Sequence, residues 1–318
     1  MSQKVPNQVH FQTVTENEQG QRIDNFLKQY LYHVPKSHVY KIIRKGEVRV
    51  NKKRVKAEYK LKLDDQIRIP PVNVQQKLEI HPNDSLLEQL SKSIIFESNQ
   101  LLVINKPSGL AVHGGSGISY GLIEAVRKMR PDERFLELVH RLDRDTSGCI
   151  LIAKKRSVLT YLHQQLRDKS TQKYYQALVC GKIQGNSIKV DKPLRKNTLK
   201  SGERIVTIDP MGKQAISIFK PIQNYHDLTL VEIKILTGRT HQIRVHAQSI
   251  GHELVGDRKY GNFACNQRIK SLGLKRLFLH AKRIEVKMPD DPKSLVFEAP
   301  LSSDLTQLLS KLDNNYGQ

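Results

Sequence analysis

Apolar residues in the first quarter of the chain repeat at helical spacing and then switch to short alternation. Ile23, Phe26, Leu27, Tyr30 and Leu31 follow the i, i+3, i+4, i+7, i+8 rule, which predicts a helix beginning near Arg22. Pro35 is expected to open a second helix, capped by Ser37, with Val39, Ile42 and Ile43 on its inner face and Gly46 ending it. Alternating pieces follow at Val48-Arg49-Val50 and Gln66-Ile67-Arg68-Ile69, with a turn at Asn51 and a stop at Pro70-Pro71. Two helices and small strands within residues 21–72 predict a compact module. A polar lead-in over 1–20 and a polar linker over 73–92 flank it.

Residues 93–318 pattern as a second, larger domain. A hairpin-like pair, Ile94–Glu97 and Leu101–Ile104, opens it. Further strands are predicted at Cys149–Ala153, Tyr174–Cys180, Gln214–Phe219, Leu228–Leu236 and Leu277–Val286, and helices at Leu122–Met129, Val158–Arg167 and Gln242–Ile250. Strands outnumber helices without strict βαβ alternation. The expected class is therefore α+β, with a mixed, mostly antiparallel sheet. The last ten residues or so are expected to fray.

Charge sharpens this picture. The chain has 318 residues and a net charge of +22, and a globular protein this cationic is expected to meet nucleic acid or an anionic surface. Residues 1–72 carry 15 basic and 7 acidic side chains against 38 and 24 in the other 246, so the small module is about twice as densely positive. Arg44, Lys45, Arg49, Lys52, Lys53, Arg54 and Lys56 fall within 13 positions, at a helix end and the turn after it. Single-sign clusters with so few acids suit phosphate contacts better than a merely solvated face.

No run approaches the roughly 18 apolar residues of a membrane span, and the N-terminus does not resemble a signal peptide. The three cysteines, Cys149, Cys180 and Cys265, are widely spaced and odd in number. They predict core filling in a reducing cytosol, with no disulfide framework and no metal pair. Nothing in the pattern marks a subunit interface, so a monomer is expected.

Four clusters could carry chemistry. His140-Arg141-Leu142-Asp143-Arg144-Asp145-Thr146-Ser147-Gly148 places carboxylates among cations just before the buried-looking run Cys149–Ala153. Asp145, before Thr-Ser-Gly, suits a turn in which its side chain bonds its own backbone, whereas Asp143 has no such local task. Thr237-Gly238-Arg239-Thr240-His241-Gln242-Ile243-Arg244-Val245-His246 reads as a glycine turn entering a helix near Thr240, with Arg239 where anions are attracted. His241 and His246 are five apart, the wrong interval for a metal site on one helical face. In Lys173-Tyr174-Tyr175-Gln176-Ala177, alternation puts Lys173, Tyr175 and Ala177 on one face. Tyr175 could there pack a core or stack on an extruded base. Asn105-Lys106-Pro107-Ser108-Gly109 through Gly115 lacks the Gly-Lys-Ser/Thr ending of a triphosphate loop and reads as a packing loop.

Together the clusters resemble the RluA-type family of bacterial RNA pseudouridine synthases. His140–Gly148 is similar to the family signature around its catalytic aspartate, Lys173-x-Tyr175 to the motif of its base-stacking tyrosine, and Thr237–Arg244 to the motif whose arginine pairs the aspartate. Asn105–Gly109 resembles the family's structural motif, and the N-terminal module resembles the alpha-L RNA-binding fold. The stretches 35–54 and 201–206 look like one subgroup in particular, which acts on large-subunit ribosomal RNA. The resemblance implies Asp143, Tyr175 and Arg239 as catalytic residues, Arg141 filling the space of a flipped base, and no cofactor, nucleotide or metal.

Three other readings make distinct demands. A non-catalytic RNA-binding assembly protein predicts degeneration at Asp143, Tyr175 or Arg239, and all three are present. A synthase acting on transfer RNA has less use for a separate basic module. A glycoside hydrolase calls for paired carboxylates, and only Asp143 stands out.

Overall fold

The computed structural model describes residues 8–31, 34–72, 82–114, 120–198, 204–289 and 291–316. Residues 1–7 of the expected lead-in, 73–81 of the expected linker, Gly115, and 201–203 of the second subgroup stretch lie outside the described residues. The chain divides into two compact units, 1–80 and 81–318.

The first unit contains β1 (His10–Thr13), α1 (Ile23–Tyr30), α2 (Lys36–Lys45), β2 (Arg49–Val50), β3 (Lys53–Arg54) and β4 (Gln66–Ile69). Its antiparallel sheet runs β1-β4-β2-β3. Ile23, Phe26 and Leu27 of α1 pack with Val39, Ile42 and Ile43 of α2 onto Val50, Ile67 and Ile69, as the periodicity requires. Two details differ from expectation. The supposed lead-in supplies an edge strand and buries Val14, a run too short to register as a pattern. Pro35, not Ser37, takes the N-cap position of α2, because its fixed φ suits a helix entrance. Gly46 ends that helix in the left-handed region, its N–H bonding the carbonyls of Ile42 and Ile43.

A buried carboxylate ties the two helices together. Asp24, only 2% exposed, accepts from Arg22 Nε and Nη2 at 3.1 Å each, Lys28 Nζ at 3.2 Å and Tyr40 Oη at 2.9 Å. Burial pushes its pKa up, but these donors outweigh it and hold the group down to about 2. A depressed folded pKa stabilises above the unfolded value and is lost as pH falls through the folded one. Denaturant titrations of the full chain should therefore show this unit weakening as pH drops from about 4 to about 2. Asp24→Asn should cost about 2 kcal/mol at neutral pH and flatten that dependence.

The second unit begins with α3 (Asp84–Lys92), β5 (Ile94–Glu97), β6 (Leu101–Lys106), α4 (Leu122–Met129), β7 (Glu137–Leu138), β8 (Ser147–Ala153), α5 (Arg156–Arg167) and β9 (Gln172–Cys180). It continues with β10 (Ile188–Asp191), β11 (Leu194–Thr198), β12 (Arg204–Ile208), β13 (Ile216–Asn224), β14 (Leu228–Ile235) and α6 (Gln242–Gln248). It closes with α7 (Phe263–Ser271), β15 (Leu279–Met288), β16 (Asp291–Glu298) and α8 (Ser303–Tyr316). The large sheet runs β10-β13-β14-β9-β15-β8-β6-β5, with β16 beside β15 and β7 beside β8. Only the β15–β8 pair is parallel among the described strands, so the class is α+β with a mixed, mostly antiparallel sheet. Strand β8 is buried throughout and apolar from Cys149 on because both faces are covered: Ile150 and Ile152 join one core, Cys149 and Leu151 another.

Here too the structure departs from expectation. The second half of the supposed linker is helix α3, capped by Asn83 accepting from Leu86 N–H. Most of the last ten residues, expected to fray, continue helix α8, which buries Leu312 as well as Leu305 and Leu308 in a core shared with α7 and β9; residues 317–318 lie outside the described residues. Cys180 at the end of β9 and Cys265 in α7 are joined as a disulfide across 85 residues, correcting the expectation of none, while Cys149 is buried and free. Among the described residues no helix is long and apolar enough to cross a membrane.

Candidate active site

Sheet register assembles the site. His280 of β15 pairs with Ser147 of β8 on one side and Gln176 of β9 on the other. The loop entering β8 thus lies level with Tyr175, across one intervening strand. On the far side of β9, Tyr175 pairs with Ile233 and Lys173 with Ile235, the last residue of β14, so the 236–241 turn leaves the sheet beside them. Gly148 is needed where β8 meets β15: at φ 114° a Cβ would press into the Ala281 backbone.

Within the entering loop, Leu142 is buried, Thr146 N–H donates to Asp143 O at 3.2 Å, and the Asp143 side chain remains 21% exposed. His140 is neutral, burial having driven it down to about 3, and its Nε2 accepts from Leu151 N–H at 3.2 Å. Asp145 does not bond its own turn; its carboxylate meets Arg144 Nε at 3.3 Å. Behind the loop, Lys106 is fully buried and Nζ donates to Pro107 O and Leu110 O at 2.8 Å and to Arg144 O at 3.0 Å. Burial pulls its pKa down to about 7, against the fields of Asp145 and Asp143. Three carbonyl partners call for three N–H donors, hence the ammonium form. The Asn105–Gly109 stretch is thus a buttress, as its sequence implied.

A cleft of ≈530 Å³ opens in front of Asp143, lined among others by Arg141, Lys173, Tyr175, Arg239 and His241. That volume suits one nucleoside-sized group. The Tyr175 ring is 8% exposed, and burial, then the Asp143 charge, push its hydroxyl pKa upward. Burial lowers the Lys173 ammonium beside it. Tyr174 faces the other way, its ring 4.0 Å from Arg283 Cζ. Arg141 stands exposed at the mouth.

Arg239 shares the cleft but does not form the expected pair with Asp143. Its Nε donates to Gln214 O at 3.1 Å, and its N–H is held by Gln242 Oε1 at 3.0 Å. The group facing Asp143 Oδ2 from this turn is His241, with Nε2 at 3.9 Å. The helix begins at Gln242, as the apolar spacing predicts and not at Thr240 as the motif alone suggested, because His241 sits in the left-handed region at φ 52°. Gln242 is a buried hub. Its Oε1 accepts from Thr237 Oγ1 and Arg239 N–H, while its Nε2 donates to Ile216 O and Ser217 Oγ. Arg244 makes a buried bidentate pair with Asp257 at 2.7 Å for both bonds. Sequence reasoning quoted Gln242 and Arg244 without assigning them a task, and missed Asp257 and Tyr260; buried partners so far apart in sequence leave no local pattern.

In the first unit all seven cations of the 44–56 cluster are exposed. Arg44, Arg54 and Lys56 line a groove of ≈580 Å³ together with Lys41 and Tyr40, which lie in the 35–54 stretch but outside the expected cation cluster. Lys52 and Lys53 mark the β2–β3 turn, where Asn51 and Lys52 both take positive φ.

The first unit exposes a cluster of cations, and the second holds a nucleoside-sized cleft in which Asp143 stands among Arg141, Lys173 and Arg239, a combination suited to RNA. The family model described as RNA pseudouridylate synthase matches residues 100–249 and that of the S4 domain matches residues 21–67. The chain is 52% identical over 313 residues to a Pasteurella multocida protein named ribosomal large subunit pseudouridine synthase C, covering 98% of this chain and 96% of that one. It is 51% identical over 305 residues to the Escherichia coli protein of the same name, covering 95% and 96%. The chain belongs to the RluA-type family of RNA pseudouridine synthases, with an S4 domain at its N-terminal side. In fold it is similar to human RNA pseudouridylate synthase domain containing 4, with a TM-score of 0.60 at 23% identity over 72% of this chain and 95% of that one. For human RNA pseudouridylate synthase domain containing 1 the TM-score is 0.56 at 24% identity, over 73% and 97%.

Proposed function

We propose that this enzyme isomerises uridines of large-subunit (23S) ribosomal RNA in the bacterial cytoplasm, with Asp143 as the catalytic carboxylate. The observation that carries the reading is the partly exposed Asp143 side chain opening into a cleft shared with Tyr175, Arg141 and Arg239. The relatives' names support the ribosomal substrate.

The reaction breaks the bond from N1 of uracil to C1′, turns the base, and joins C5 to C1′. The proton lost from C5 is balanced by one gained at N1, so product and substrate are isomers. The base must first leave its stack. Arg141, exposed at the cleft mouth, fills the vacated space, and Tyr175 stacks on the uracil. Asp143 either attacks as a nucleophile or removes a sugar proton, and both roles need it ionised. Arg239, held on Gln214 O, contributes a fixed positive charge at the rim for the target's phosphate.

Incubating the purified enzyme with unmodified 23S ribosomal RNA and, separately, with transfer RNA tests the substrate. Pseudouridine is expected at discrete positions of the former; formation only in transfer RNA would reverse the assignment. The exposed cluster of the first unit supplies affinity. Replacing Lys52 and Lys53 together by Ala should weaken RNA binding and reduce the slope of log Kd against log salt by about 1.5. Anisotropy titrations at several salt concentrations read that slope, with kcat unchanged.

A further inference from the structure

Next to Asp143 stands a side chain whose geometry is unusual for its type. His241 is a non-glycine residue in the left-handed region, at φ 52° and ψ 18°, a strained conformation that persists only where its surroundings hold it. What holds it is visible. Gln242, the next residue, has all four of its side-chain hydrogen bonds made. His241 Nδ1 lies 2.8 Å from the hydroxyl of Tyr260, which is 3% exposed.

That hydroxyl decides which imidazole nitrogen carries the proton. Tyr260 Oη accepts from Val206 N–H at 3.0 Å. Its own proton then has His241 Nδ1 as acceptor, whereas the opposite tautomer would leave that buried hydroxyl proton without an acceptor among the described residues. The N–H of the neutral ring is thus on Nε2, which faces Asp143 Oδ2 at 3.9 Å. Tyr260 is held in turn by Asp257. The Oδ1 of Asp257 accepts from Tyr260 N–H and Lys259 N–H, while both its oxygens bind Arg244, whose Cζ lies 4.9 Å from the Tyr260 ring centre. Burial lowers the His241 pKa, with Asp143 and Asp257 opposing and Arg244 and Lys259 adding to the fall, in keeping with a neutral ring.

We propose that His241 is a positioning residue for Asp143: Tyr260 fixes its tautomer, and its Nε2–H closes onto the carboxylate when RNA fills the cleft. Hydrogen bonds of this kind are often long in the free enzyme and tighten in the complex. The guanidinium of Arg244 lines the same cleft and feels the charge of Asp143 but is bound to Asp257, and Arg239 is engaged on Gln214 O, so His241 supplies a neutral donor that orients the carboxylate without adding charge. The proposal rests on Asp143 being the catalytic carboxylate.

Three variants and one spectrum test it. Asn tolerates the left-handed conformation and can still bond Tyr260, but it is too short to reach Asp143. His241→Asn should therefore lower kcat about ten- to a hundredfold with KM within about twofold. His241→Gln, whose amide reaches as far as Nε2, should regain about tenfold of that loss. Tyr260→Phe should lower kcat about three- to tenfold. Nitrogen-15 NMR of histidine-labelled wild-type enzyme at about pH 7.5, assigned against His241→Asn, should show His241 protonated on Nε2 only. A His241→Asn enzyme within twofold of wild-type kcat, a KM rise that matches the kcat loss, or an Nδ1–H tautomer would each overturn it. Failure of the functional reading looks different: Asp143→Asn would retain turnover, and the tautomer spectrum would be unaffected.

Discussion

Replacement of Asp143 by Asn is expected to abolish pseudouridine formation, by about four orders of magnitude or more, while RNA affinity stays within about twofold. The amide has the volume and shape of the carboxylate, so the loop entering β8 keeps its anchors: Leu142 buried below it and Lys106 bonded to Arg144 O behind it. What disappears is the negative charge, and neither a nucleophile nor a proton acceptor remains at that position. Binding survives because phosphate contacts by exposed cations dominate the affinity of such proteins. Single-turnover release of tritium from C5-labelled uridine, beside a binding titration, separates the two quantities.

Tyr175 gives the second large effect. Tyr175→Leu should lower kcat by about a hundredfold, since stacking of a base on an aromatic ring is worth about 1–3 kcal/mol and the ring also lines the cleft beside Asp143. Tyr175→Phe retains the ring, so its loss measures the hydroxyl alone. Stacking predicts that Phe is damaged much less than Leu in kcat. Equal damage would instead mean that the hydroxyl carries the effect. The control is Tyr174→Leu: that ring faces Arg283 and Lys234 outside the cleft, and its loss should leave kcat within about twofold.

Much of this architecture was legible where patterns were long. The heptad-like spacing in α1 and α2, the apolar run of β8 and the alternation through Lys173, Tyr175 and Ala177 all correspond to what burial imposes on helices and strands. Short or locally ambiguous segments were not legible. Strand β1 is four residues with an exposed pattern, and α7 has no strong apolar stripe because only Ile269 is buried. The end of helix α8 was expected to fray because leucines such as Leu312 gain meaning only from the partners they cover. The cleft's cations and carboxylate could be named from motifs, but their pairing could not. Arg239 binds a carbonyl 25 residues away instead of Asp143, and the Tyr260 contact to His241 arises from a turn fixed by Asp257. Such contacts follow from tertiary packing. The Cys180–Cys265 link, across 85 residues, belongs to the same class.

The most direct test of the central claim is a pseudouridine map of 23S ribosomal RNA from cells lacking this gene, complemented with either the wild-type or the Asp143→Asn protein at equal abundance. Discrete sites should vanish in the deletion, return with the wild-type chain and stay absent with Asp143→Asn. Sites that persist without the gene, or return with the amide variant, would contradict a uridine isomerase working through that carboxylate.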